Sequence, residues 1–143
     1  MDPSGHTATV TAIYEAFGRG DLPAILDHLT EDVTWNHQRP GHSGQAAGLE
    51  IERARTGKAE VVGFFECAAE LEMAEFSVAT MLENADQVAA FVDVDYTVRA
   101  TGRRVIDTEV HLFTFAADGR VSALRGFVDT GQLIAAMQAP VVV

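Results

Sequence analysis

The side chains best suited to acid–base chemistry are a histidine and an aspartate in the last third of the sequence. His111 lies in a strand-like segment, where it alternates with Phe113 and Phe115. Asp129 follows the next strand-like segment, just beyond Phe127. A proton-transfer site needs an acid or base whose pKa the pocket can move towards neutrality. Here Asp129 would remove a proton alpha to a carbonyl, and His111 would act as the acid or donate to the developing enolate oxygen.

A structural interpretation of this pair stays open. His111 and Asp129 could hydrogen-bond to each other or to the backbone and hold the sheet together. The register of the hairpin at residues 116–119 decides between the two, because a shift of one residue moves a side chain to the opposite face of a sheet.

Aromatic and polar side chains predicted to lie near one another form the candidate pocket wall. Tyr14 lies on the apolar face of a helix, from which its hydroxyl could reach the pocket or a backbone carbonyl. Trp35 and His37 alternate along a short strand and are therefore expected to face the same side. The predicted ligand-contacting residues are Tyr14, Trp35, His37, Phe64, Phe113, Arg125 and Phe127.

Cofactors and metals are not expected. His37 and His42 could suggest a metal pair, but no third ligand stands at a suitable spacing. The sequence has no glycine-rich phosphate loop, no nucleophile elbow and no CxxC pair.

Helices in the first half of the chain must position these residues against strands in the second half. Helical spacing of apolar residues predicts one helix from Thr7 to Phe17, a second one beginning at Asp21, and a third over residues 58–71. A short strand is expected at residues 33–37. Alternating polarity then predicts four strands joined by short connections, followed by a short helix: 74–83, 87–99, 103–115, 120–128 and 130–138.

This order of elements is typical of an α+β fold. The short connections predict a mainly antiparallel sheet, and a strongly curved sheet covered by helices encloses a hollow that can hold a ligand. We expect residues 1–143 to form a single domain. Residues 38–57 are rich in glycine without steady periodicity and are predicted to be a lid or rim of the pocket.

Composition and charge exclude several classes of function. With 21 acidic and 10 basic residues, the chain carries a formal net charge of −11, which repels nucleic acid and anionic lipid. No apolar run is long enough to span a bilayer, and no signal peptide is recognisable. The single cysteine is compatible with a reducing compartment. A cytoplasmic protein without a nucleic-acid or membrane partner is therefore expected.

Several short strings coincide in order and spacing with one known family. They are residues 14–17 (YEAF), 20–21 (GD), 32–35 (DVTW), 56–58 (TGK), 110–113 (VHLF), 118–121 (DGRV) and 125–130 (RGFVDT). Together they resemble the SnoaL-like branch of the nuclear-transport-factor-2-like (NTF2-like) superfamily, which includes polyketide cyclases, ketosteroid isomerases and limonene epoxide hydrolase. The resemblance implies a cone-shaped fold and a homodimer formed through the sheet.

Three catalytic arrangements of this superfamily can be compared with the sequence. The three ketosteroid isomerase positions fall on Ile13, His37 and His111, so that apparatus is changed. The Asp-Arg-Asp arrangement of the epoxide hydrolase falls on Val92, Val94 and Asp129 and keeps only its last member. The histidine and aspartate of SnoaL-type polyketide cyclases match His111 and Asp129, and this arrangement fits best.

The resemblance therefore implies a cofactor-independent enzyme of the cyclase or isomerase type, acting on a hydrophobic, carbonyl-bearing small molecule. Two alternatives stay open. One is a non-catalytic binding protein that uses the same cavity. The other is a structural dimerisation module, which would show a collapsed cavity and an apolar outer sheet face.

Overall fold

Two helices at the start of the chain cover the sheet, as the apolar spacing predicts. In the computed structural model, which describes residues 5–138, α1 spans Gly5–Gly18 and α2 spans Leu22–Asp27. Val10, Ile13 and Ala16 form the buried face of α1. Asp21 caps α2 by accepting a hydrogen bond from the backbone N–H of Ala24 at 3.2 Å. This cap satisfies one of the N–H groups that a helix start leaves free.

Six strands form one mixed sheet. They are β1 (Leu29–Trp35), β2 (Arg55–Thr56), β3 (Leu71–Glu83), β4 (Gln87–Val98), β5 (Arg103–Phe115) and β6 (Val121–Phe127). Their order across the sheet is β2-β1-β6-β5-β4-β3. The predicted antiparallel meander is confirmed for β3 to β6, while β1 pairs in parallel with β6.

The segment between β1 and the next long helix is more ordered than its sequence indicates. It contains α3 (Ser43–Ala46), a 3-10 turn at Glu50–Glu52 and the short strand β2. The helix α4 follows at Lys58–Ala68, and α5 spans Thr130–Met137. The predicted final helix at residues 130–138 is thereby confirmed, whereas α4 ends three residues before the predicted position 71.

The two faces of the sheet differ in polarity. Every second residue of β4 is buried, from Val88 to Val98, and these side chains face the helices. On the opposite face, Asp95 accepts a hydrogen bond from Nε of Arg104 at 2.8 Å. This two-residue alternation is what strand geometry requires of a half-buried sheet.

The helix α5 covers a part of β5 that has no neighbouring strand. Because β6 ends opposite Val110, the first half of β5 has unpaired backbone groups on that side. The amide of Gln132 replaces a strand there: its oxygen accepts from the N–H of Ile106 at 2.7 Å, and its nitrogen donates to the carbonyl of Ile106 at 2.8 Å. No helix within residues 5–138 is long and apolar enough to cross a membrane.

Candidate functional site

A cavity of about 130 Å³ lies between the helices and the inner face of the sheet. Its wall is mostly aromatic and aliphatic, with contributions from α1, α4, α5 and the five strands β1, β3, β4, β5 and β6. The polar side chains in the wall are Tyr14, Asn36, Glu52, Tyr96, Glu109 and His111. A largely apolar cavity with a few convergent polar groups is the usual form of a small-molecule site.

Three of these polar side chains form a hydrogen-bonded chain. The Tyr14 hydroxyl lies 2.7 Å from Nδ1 of His111, and Nε2 of His111 lies 3.0 Å from a carboxyl oxygen of Glu109. Glu109 and His111 share the inner face because they are two residues apart in β5. An ionised Glu109 can only accept, which places a hydrogen on Nε2 and leaves Nδ1 of a neutral His111 to accept from Tyr14.

Burial and the nearby negative charge of Glu109 raise the pKa of Tyr14. They do the same for Tyr96, where Asp107 and Glu52 add to the effect. Both hydroxyls therefore keep their protons at neutral pH and can donate hydrogen bonds inside the cavity.

Glu52 is the carboxyl group in the cavity whose pKa lies near neutrality. Burial, followed by the charge of Glu109, raises the pKa of Glu52 from 4.5 to about 7. The residue is 5% exposed, and its carboxyl makes no hydrogen bond or ion pair to any residue within 5–138. Glu52 can therefore exchange a proton with a ligand at physiological pH.

The turn that carries Glu52 is held in place by a buried arginine. Arg55 is 3% exposed and donates from Nη2 to the carbonyl of Glu50 at 2.8 Å and from Nη1 to that of Glu60 at 3.3 Å. Gly63 makes room for it, since a Cβ there would lie 2.6 Å from Nη1 of Arg55. Gly44 does the same for Glu52, whose Cγ would lie 2.8 Å from an added Cβ.

Asn36 connects the Glu52 turn to the strand opposite His111. Its Oδ1 accepts from the N–H of Gly126 at 3.1 Å, and its Nδ2 donates to the carbonyl of Ile51 at 3.4 Å. Gly126 is the cross-strand partner of His111. Asn36 has a φ of 60°, a left-handed conformation that asparagine tolerates better than most residues.

Five of the residues predicted from the sequence line the cavity. His111 faces it as expected, and the structure places four of the predicted ligand-contacting residues in its wall: Tyr14, Trp35, Phe64 and Phe113. The predicted rim segment, residues 38–57, contributes Ile51 and Glu52 to the wall. The roles of these residues in binding or catalysis remain predictions.

The prediction that Asp129 faces the cavity is wrong. Asp129 is exposed and caps α5, where its Oδ1 accepts from the N–H of Gln132 at 3.0 Å. Its own N–H donates to a carboxyl oxygen of Asp107 at 2.8 Å. The chain leaves the sheet after Phe127, so the carboxylate of Asp129 caps the first turn of α5 and does not face the cavity.

Arg125 and Phe127 also lie outside the cavity, contrary to the prediction. The register pairs His111 with Gly126 and Phe113 with Leu124, so even-numbered residues of β6 face inward near this end. Arg125 and Phe127 therefore face outward, where the guanidinium carbon of Arg125 lies 5.0 Å from the centre of the Phe127 ring.

His37 does not share a face with Trp35, again contrary to the prediction. The strand β1 ends at Trp35, and the left-handed conformation of Asn36 breaks the alternation. His37 is exposed, and its Nε2 lies 2.8 Å from the carbonyl oxygen of Arg55. Within residues 5–138, no group of three or more side chains could hold a metal ion.

The sequence interpretation missed Glu52, Glu109, Tyr96 and Asn36. A signal existed for Glu109, because a strand that turns His111 inward also turns the residue two positions earlier inward. Glu52 had none, since it lies in a stretch without periodicity.

Comparison with known proteins shows the family of the chain. Residues 10–124 match the family described as SnoaL-like domain. The chain belongs to the SnoaL-like family. No curated protein shows significant similarity to it.

Solved structures show that this member of the family has the NTF2-like fold. An NTF2-like protein of unknown function from Burkholderia pseudomallei is 27% identical, with a TM-score of 0.80, and the match covers 96% of this chain and 100% of that one. TerC, co-crystallised with polyporic acid, is 22% identical with a TM-score of 0.77, over 93% and 98% of the two chains. A candidate polyketide cyclase from Xanthomonas campestris is 21% identical with a TM-score of 0.71, over 94% and 97%.

Proposed function

We propose that the protein is a cofactor-independent acid–base catalyst of the cyclase or isomerase type. It would move a proton on a hydrophobic, carbonyl-bearing small molecule bound in the cavity. The observation that supports this most is Glu52, a carboxyl group without a partner among residues 5–138, which lies in a mostly apolar wall and has its pKa raised to about 7. A base of this kind is ionised in part at neutral pH and is still basic enough to accept a proton from carbon.

In this proposal Glu52 is the base, and Tyr14 donates to the oxygen that becomes the enolate. When His111 is neutral, the hydrogen of the Tyr14 hydroxyl is used in the bond to Nδ1. When His111 is protonated on both nitrogens, Nδ1 donates to Tyr14 and Nε2 donates to Glu109. The Tyr14 hydrogen is then available to the substrate.

The proton balance of the step is simple. The carbon–hydrogen bond alpha to the carbonyl breaks, its proton passes to Glu52, and the electron pair forms the enolate. The Tyr14 hydroxyl stabilises the enolate oxygen by a hydrogen bond, as an oxyanion hole does. Return of the proton from Glu52 to another carbon completes an isomerisation. In a cyclisation the enolate carbon attacks a second carbonyl of the same molecule, and the alkoxide that forms takes up the proton from Glu52.

Hydrogen–deuterium exchange tests this function without knowledge of the natural substrate. We would incubate hydrophobic ketones with the protein in deuterated buffer and follow the alpha protons by NMR. Glu52→Gln should slow the exchange by about a hundredfold or more, the usual contribution of a general base. Glu66→Gln is the matched control, because Glu66 is exposed on α4 and away from the cavity. Equal rates in the wild type and Glu52→Gln would contradict the assignment.

A non-catalytic binding protein is the second candidate. The bonds from Tyr14 to His111 and from His111 to Glu109 are complete without a ligand, which also suits a rigid binding pocket. Ligand binding without exchange in any ketone would favour this candidate.

We also propose that two copies associate through the outer face of the sheet. Leu82, Ile106 and Phe127 on that face are 60%, 58% and 41% exposed. Large apolar side chains left open on one face favour association.

A further inference from the structure

The part of the chain that the structure describes contributes acidic groups to the cavity, but no basic side chain other than His111. Its wall includes Glu52 and Glu109, and no Lys or Arg of the described chain lines it. Arg55 is buried nearby, but its guanidinium donates to backbone carbonyls and does not line the cavity. The charge in the wall is therefore negative whenever both carboxyls are ionised.

The two carboxyls are not equivalent. Glu109 already has a hydrogen-bond partner, because Nε2 of His111 lies 3.0 Å from one of its carboxyl oxygens. Glu52 is buried, with 5% of its surface exposed. Within the described residues, its carboxyl group has no counter-charge and no hydrogen-bond donor. A buried carboxylate without a partner costs several kcal/mol, which a cationic ligand would offset.

The rest of the wall suits a cation as well. Aromatic rings line it on several sides, including Trp35, whose ring centre lies 5.4 Å from that of Phe64. The faces of aromatic rings attract organic cations, and the attraction grows when the cation is desolvated. Among the described residues, no Lys or Arg lines the wall to hold an anionic end group.

We propose that the cavity selects an apolar small molecule that carries one protonated amine, with the ammonium group held by Glu52 among the aromatic rings. This deepens the proposed function, since it concerns the same cavity and the same carboxyl group. A carboxylate has two oxygens, so one can accept from the ammonium while the other remains available as the base. The cation raises the ionised fraction of Glu52, which a base requires, and lowers its pKa from the raised value in return.

A matched set of probes tests this proposal. Phenethylamine, phenethyl alcohol and phenylacetate share a ring and differ in the charge of the end group. Trp35 is the single tryptophan of the sequence and lies in the cavity wall, so its fluorescence reports binding. At about pH 7.5 we expect the amine to bind at least about tenfold more tightly than the alcohol, and phenylacetate to bind most weakly.

Glu52→Gln and Glu66→Gln locate the source of the preference. Both remove one negative charge, but only Glu52 lies in the cavity. Glu52→Gln should bring the amine and the alcohol to within about threefold of each other, and Glu66→Gln should keep the wild-type ratio. If both variants lost the preference for the amine over the alcohol to a similar extent, the net charge of the protein, and not the cavity, would attract the amine. That result would overturn the proposal.

Calorimetry supplies a second readout that does not depend on the variant folding. Near neutral pH, binding of the amine should release protons, because a cation beside Glu52 stabilises its ionised form against the effects of burial and of Glu109. The other titratable side chains in the wall are Tyr14, Tyr96 and His111. Titrations in buffers with different ionisation enthalpies measure this release. Uptake of protons, no net release, equal binding of the three probes, or no binding of the amine would each overturn the proposal.

Failure of this inference can be distinguished from failure of the proposed function. Ketone exchange that depends on Glu52, without preference for the amine, would leave the function standing and remove the ligand class. Preference for the amine without exchange in any ketone would support the ligand class and contradict the proposed catalytic function.

Discussion

Replacing Glu52 with glutamine should make the protein more stable at alkaline pH while removing its proposed base. The carboxyl group has a pKa of about 7 in the folded protein and of 4.5 as its reference value. The folded state therefore binds the proton more tightly than the unfolded state. The stability from this group is complete below about pH 4.5 and is lost as the pH rises through about 7.

The size of the effect follows from the same two values. Each pKa unit corresponds to about 1.4 kcal/mol, so raising the pKa from 4.5 to about 7 corresponds to about 3 kcal/mol. Glutamine does not ionise and cannot lose this amount. The stabilisation by Glu52→Gln should therefore be about 3 kcal/mol larger at about pH 8.5 than at about pH 4.5.

Urea unfolding followed by circular dichroism at these two pH values measures the difference. Taking the difference between wild type and variant cancels the contribution of the other titrating groups, and taking it between two pH values cancels the packing difference between the side chains. Glu66→Gln serves as the control and should show almost no pH-dependent change. A pH-dependent difference below about 0.5 kcal/mol for Glu52→Gln would refute the view that Glu52 is a destabilised carboxyl group.

Three further predictions test the arrangement around the cavity and the outer face of the sheet. Asp129→Ala should lower the free energy of unfolding in urea by about 1 kcal/mol through loss of the α5 cap. It should leave ketone exchange unchanged, and a large loss of exchange would show that Asp129 takes part in the reaction. Gly63→Ala should cost about 1–3 kcal/mol in the same measurement, because its Cβ would lie 2.6 Å from Nη1 of Arg55; a neutral effect would show that Arg55 is not tightly confined. Phe127→Lys should shift the protein from dimer to monomer in light scattering with its fold intact by circular dichroism, and an unchanged mass would place the interface elsewhere or show that there is none.

The proposed site combines a structural cost with a functional gain. Burying Glu52 with no partner among residues 5–138 lowers stability above neutral pH. Arg55 and Asn36 donate hydrogen bonds to the carbonyls of Glu50 and Ile51 in the turn that carries it. Such a loss of stability is common at functional sites, because a carboxyl base has a raised pKa only in an environment that destabilises its charged form.

The local pattern of apolar residues in the sequence was sufficient to predict most of the helices and strands. The spacing of Val10, Ile13 and Phe17 predicts α1, and alternation predicts β4 and β5, because burial of one face imposes the period of each element. The α+β order and the family strings predict the same architecture. Residues 38–57 were predicted only as an irregular stretch, since short helical turns leave no periodic signal.

The site depended on long-range geometry. That His111 faces inward could be predicted from its strand, but the positions of Asp129, Arg125 and Phe127 depended on where β6 ends and on its register with β5. A shift of one residue in that register would exchange the two faces, and no local property of the sequence fixes it.

The sequence by itself therefore determined the elements, the family and the presence of an apolar pocket. The tertiary structure alone decided which carboxyl group the pocket contains. Glu52 lines the same cavity as His111 and Glu109, although its turn lies more than fifty residues away from them along the chain. Its altered pKa arises from desolvation and from the nearby charge of Glu109, and both exist only after the distant segments have packed together.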